Sequence, residues 1–107
     1  MDVQTRSEGR ELTVLFRGEL DHHAAQETVT ALERAVDAAL PQRLVLDFRG
    51  VTFMDSSGLA VVMRAHRRMT ALGGSLVLVN VPKQAKKVFD AAGISSRVAM
   101  EGSEHEG

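Results

Sequence analysis

The chain has no cysteine, no tryptophan and no tyrosine, and only two prolines and four phenylalanines among its 107 residues. Without cysteine there can be no disulfide, no thiolate nucleophile and no Cys-based metal site. With 4% aromatic residues, the interior must be filled by aliphatic side chains and alanine. Charge of one sign is also missing. A formal net charge of −1 gives no electrostatic case for general binding to nucleic acid or to an anionic membrane. No stretch approaches the ~20 apolar residues of a membrane span. Met1-Asp2-Val3-Gln4-Thr5-Arg6 has no apolar run behind it and does not read as a signal peptide. Neither Gly-x-x-x-x-Gly-Lys nor Gly-x-Gly-x-x-Gly occurs, so no nucleotide cradle and no cofactor is expected. These absences point to a cytoplasmic domain with neither nucleic acid nor membrane as partner; a monomer is expected.

What is present is enough for one packed domain. The chain is 44% hydrophobic and 25% charged, and its length fits one unit over 1–107, with a core from about residue 3 to residue 100 and an acidic, Gly-rich tail from 101 to 107 expected to fray. Asp2 to Ser7, a reversal at Glu8-Gly9-Arg10, and the alternation of Leu12, Val14 and Phe16 predict an antiparallel hairpin over residues 2–18. Asp21 is a candidate N-cap. Behind it Ala25, Val29, Leu32, Val36 and Ala39 or Leu40 define one helical face, which Pro41 stops. Leu44 to Asp47 reads as a buried central strand. Leu59, Val62, Met63, His66 and Met69 predict the face of a second helix ended by Gly73-Gly74. Ser75 to Val79 predicts a strand parallel to the central one. A third helix follows Pro82, with Val88 and Phe89 inward, and Val98 to Met100 reads as a last short strand or turn. The expected class is α/β: a mixed sheet of four or five strands with helices mainly on one face.

The most informative stretch is Val51-Thr52-Phe53-Met54-Asp55-Ser56-Ser57-Gly58-Leu59. It lies where a strand ends and a helix begins, the usual site region of an open sheet with parallel strands. Such a junction has amide groups with no partner inside the helix and the positive end of the helix dipole. A helix cap alone would account for Asp, Ser and Gly there. A nucleophilic serine is the enzymatic alternative. It lacks the elbow glycine, because Met54 and Asp55 occupy the positions two before Ser56 and Ser57. His66, ten residues beyond Ser56, would lie about 15 Å away at ~1.5 Å per helical residue. No catalytic residue is therefore assigned. His22 and His23 are adjacent and diverge by about 100° on a helix, so no metal site is assigned either. Arg64, Arg67 and Arg68, with Lys83, Lys86 and Lys87, read as solvated helix faces.

Two separated motifs coincide with a known pattern. Gly18-Glu19-Leu20-Asp21-His22-His23 together with Phe53-Met54-Asp55-Ser56-Ser57-Gly58-Leu59 resembles the anti-sigma-factor antagonists of the STAS-domain family, nearest to the sporulation branch that opposes the anti-sigma F factor. Ala85 to Ile94 resembles the family's penultimate helix. The chain departs from the pattern at Ala24-Ala25 and in its short acidic tail. The resemblance implies a non-enzymatic phosphoprotein that regulates transcription by partner switching. Its unmodified form would bind an anti-sigma factor that is also a serine kinase, freeing the sigma factor. Phosphorylation at Ser56 would end binding, and a serine phosphatase would reset it. Asp21, His22, His23, Asp55, Ser57 and Gly58 are the implied partner-contact residues. The alternatives are a stress-response regulator of the same kind and, from another class, a small serine hydrolase.

Overall fold

The computed structural model describes residues 1–102. Its elements run β1 (Asp2–Glu8), β2 (Glu11–Leu20), α1 (His22–Ala39), β3 (Arg43–Met54), α2 (Ser57–Leu72), β4 (Ser75–Val79), α3 (Lys83–Ala91), a single 3-10 turn (Ile94–Ser96) and β5 (Ala99–Glu101). The strands form one mixed sheet in sequence order, β1-β2-β3-β4-β5. β1 and β2 form the expected hairpin, Val3 opposite Phe16 and Ser7 opposite Leu12. The remaining neighbours are parallel, with Leu12, Leu44 and Leu76 in one row and Val14, Leu46 and Leu78 in the next. The last strand of the described residues is β5, and Glu101 pairs with Val79. The tail reading for 103–107 lies outside the described residues.

Side-chain alternation along the strands makes the layers. Leu12, Val14, Phe16, Leu44, Leu46, Phe48, Leu76 and Leu78 stand on one face and share a single core with Val29, Leu32 and Val36 of α1, Val61, Val62, Ala65 and Met69 of α2, and Ala85 and Phe89 of α3. The few aromatics are concentrated at its centre. Phe48 sits between Phe16 and Phe89, with ring centroids 5.3 and 5.4 Å apart, an edge-to-face spacing. Val45 and Val77 point the other way and are flanked in register by Thr13 and Ala99.

Four expectations need correction. The central strand does not stop near Asp47. It continues to Met54, because the second half of β2, Arg17 to Leu20, pairs with Gly50 to Met54 across two register shifts. Those shifts break the period-two pattern that would have announced the strand. The α2 face is rotated: Gly58, Val61, Val62, Ala65 and Met69 are buried, while Leu59, Met63 and His66 are only half-buried. Small residues let α2 lie close to the sheet, and large ones sit at its margins. In α1, Leu40 is exposed and left-handed, φ 45°, so the core-facing stripe ends at Val36. In α3, Ala85 rather than Val88 joins Phe89 inside.

Candidate functional site

The extension of β3 shortens the organising loop to Asp55 and Ser56. It lies at the carboxyl end of a strand with parallel neighbours, beside the carboxyl end of β2, and Asp55 N–H donates to the Leu20 carbonyl at 3.4 Å. Both family-like motifs therefore meet at one edge of the molecule.

Asp55 joins them. Its Oδ1 accepts the Ser57 amide at 2.8 Å, and its Oδ2 accepts the His22 amide at 3.2 Å. One carboxylate thus caps the start of α2 and holds the first residue of α1. Donation from the Ser57 amide holds the Asp55 carboxyl below the ordinary aspartate range. Partial burial opposes this, and the Ser57 hydroxyl and the His22 amide and imidazole reinforce it. Asp21 is the N-cap of α1, with Oδ1 accepting the Ala24 amide at 3.1 Å. The rings of His22 and His23 lie edge to face at 5.8 Å. Among the described residues no three His, Asp or Glu side chains cluster as a metal site.

Ser56 is exposed and makes no side-chain capping bond. Capping could have occupied its hydroxyl, but Asp55 does that work instead. The amides expected to be free are not. Ser57 donates to Asp55 Oδ1, Gly58 to the Asp55 carbonyl at 3.0 Å and Leu59 to the Ser56 carbonyl at 3.1 Å. What remains at the junction for an anion is the helix dipole and nearby cations, not a ready nest of N–H groups. Ser57 is half-buried in the first turn. Gly58 is buried for a steric reason: a Cβ there would fall 2.5 Å from Met54 Cγ and Sδ.

Several neighbours escape sequence reasoning. Ser56, Leu59, Gln84, Lys87, Val88, Ala91 and Ala92 line an open groove of about 510 Å³ between α2 and α3. Phe53 is 43% exposed on the strand that leads into the loop. The Gln84 side chain bonds both backbone groups of Met54. Ser56, Phe53 and Leu59 belong to the loop motif, Val88 to an apolar helix face and Lys87 to a basic cluster, but nothing in the sequence singles out Gln84.

A one-sided mixed sheet with an exposed serine at the mouth of the second helix defines a small α/β domain of the STAS type. The STAS domain model matches residues 2–107, and the chain belongs to that family. It is 33% identical over 84 residues to an anti-sigma F factor antagonist of Lysinibacillus sphaericus, covering 77% of this chain and 72% of that protein. The unphosphorylated anti-sigma factor antagonist SpoIIAA superposes with a TM-score of 0.81 at 27% identity, over 98% of this chain and 90% of that one. The phosphorylated form of the Bacillus cell fate determinant SpoIIAA gives 0.74 at 27% identity, over 98% and 94%. The family resemblance carried by the two motifs holds, as does the α/β architecture. No helix of the described residues is long and apolar enough to cross a membrane.

Proposed function

We propose that this protein is an anti-sigma factor antagonist that works by binding, not catalysis, and is switched at Ser56. In its unmodified form it docks on an anti-sigma factor serine kinase and frees the sigma factor. Phosphate transfer from Mg-ATP to the Ser56 hydroxyl ends the contact, and a phosphatase restores it. The names and forms of its relatives support this reading. The observation that carries it is the exposed, uncapped Ser56 hydroxyl, beside Asp55, whose carboxylate accepts the Ser57 and His22 amides and so sets the loop against the start of α1.

The chemistry is that of a charge added to an interface. Phosphoserine carries about −1.5 to −2 charges. Turning a mostly bound complex into a mostly free one takes roughly 3–5 kcal/mol of differential affinity, and an unpaired dianion in a contact surface can supply that. Incubation with an anti-sigma F-type serine kinase and Mg-ATP, followed by mass-spectrometric mapping, tests the assignment. Phosphate is expected on Ser56 alone, and the Ser56→Ala variant should bind the kinase and take none. Phosphate on Ser57, or continued incorporation into the variant, would move the acceptor elsewhere.

A further inference from the structure

β3 outruns β4. Their pairing ends at Asp47 with Val79, so on that side Phe48 to Met54 have no partner strand. At the far end of this gap the side chain of Gln84, in the first turn of α3, takes the place of one. Its Oε1 accepts the Met54 amide at 2.8 Å, and its Nε2 donates to the Met54 carbonyl at 2.8 Å. The N–H and C=O of one strand residue point to the same side, so a single primary amide can satisfy both. Two parallel bonds fix rotation as well as distance. The Met54 side chain is fully buried and packs beneath Gly58 and near Leu20. Met54 is thus held from α3, from α2 and from β2, and Ser56 lies two residues beyond it.

We propose that Gln84 is a positioning residue for the switch serine. It clamps the end of β3 so that the Ser56 hydroxyl is offered in one geometry, and it ties that geometry to α3, whose Lys87 and Val88 line the same groove as Ser56. This inference rests on Ser56 being the phosphate acceptor. Without the clamp, the first helical turn of α2 keeps its Asp55 cap and β3 its pairing with β2, but the Met54 peptide loses its restraint on the α3 side. Misalignment of an acceptor oxygen lowers the rate of transfer more than the affinity of the encounter.

Wild type, Gln84→Ala, Gln84→Glu and Ser56→Ala are compared in two measurements. The first is steady-state phosphorylation by an anti-sigma F-type serine kinase with Mg-ATP. Gln84→Ala, which lacks both bonds, should lower kcat at least fivefold with KM within twofold. Gln84→Glu keeps the acceptor but sets a carboxylate against the Met54 carbonyl, and should lower kcat as well. The second is amide hydrogen exchange by NMR. Protection of the Met54 amide should fall about tenfold in Gln84→Ala and less in Gln84→Glu, with the urea midpoint within experimental error of wild type. An unchanged kcat in both variants, or a loss of kcat matched by global destabilisation, overturns the positioning role. If wild type takes no phosphate on Ser56, the acceptor assignment fails. The exchange arm then judges the clamp by itself: loss of protection confined to Met54 and Asp55–Gly58 supports it, and unchanged protection sinks it.

Discussion

At the residue scale, Asp55 sets what its neighbour can do. By capping α2 it leaves Ser56 without a structural duty, so Ser56→Ala should change stability by no more than ~0.5 kcal/mol, as for an exposed side chain with no partner. A urea titration checks this, and a larger loss would mean the hydroxyl caps the helix after all. Asp55 itself should show its role in acid. Its folded carboxyl is held below the ordinary value by the Ser57 amide. A depressed carboxylate contributes stability that is complete above the unfolded value and is lost as pH falls through the folded one. The His22 and Ser57 amide signals should therefore titrate together, with a midpoint below the ordinary aspartate range. Independent midpoints, or one at the ordinary value, would dissolve the link between α1 and α2. Asp21 was legible as a cap because an acidic residue directly before a helical stripe is a local pattern. Asp21→Ala should cost ~1 kcal/mol of stability and, if His22 and His23 belong to the contact, a larger share of the affinity for the kinase in a calorimetric titration. Gln84 was not legible, because a side chain that bonds backbone 30 residues away leaves no periodic trace.

At the scale of elements, the sequence made clear which segments are helices and strands wherever one periodicity runs uninterrupted. The β1–β2 hairpin, the start of α1 and the Gly73 end of α2, φ 74°, all follow from local chemistry. The failures have separate causes. Where the parallel partners slip register, between Leu15 and Leu20, the outer half of β3 loses its alternation and Val51 to Met54 look like loop. The α2 face was misjudged for a different reason: large apolar residues were placed inward, whereas close approach to a sheet selects Gly58 and Ala65 and displaces Leu59. Gly58 carries the sharpest consequence. Alanine there gains helix propensity of up to about 1 kcal/mol, but its methyl would sit 2.5 Å from Met54 Cγ and Sδ and 3.3 Å from Leu20 Cδ2. Overpacking of this sort costs about 1–3 kcal/mol. Gly58→Ala should therefore be destabilised in urea and shift the NMR signals of Met54 and Ser56. Wild-type stability with unmoved signals would mean that Met54 retreats without effect.

At the scale of the whole molecule, the helices and their core occupy one face of the sheet and the proposed switch lies at one end of it. The two meet at the β3–α2 junction, which Asp55 ties to α1 and Gln84 ties to α3. The core, centred on Phe16, Phe48 and Phe89, makes no use of Ser56. A phosphate on Ser56 would take the formal charge from −1 to about −3. Nearby, the dianion would meet the Asp55 carboxylate, which repels it, and the α2 dipole and Lys87, which attract it. These opposed local terms act outside the core, so the fold should survive and the surface should become more negative. Both halves of this are visible in one experiment. Backbone NMR shifts on phosphorylation should be confined to His22–Ala24, Asp55–Ala60 and the α3 side of the groove, while the urea midpoint stays nearly constant and the kinase complex dissociates. Shifts spread through β1, β4 and the Phe16–Phe48–Phe89 cluster would mean that phosphorylation acts by remodelling the scaffold. A repulsive charge on an otherwise unchanged surface would then no longer explain release.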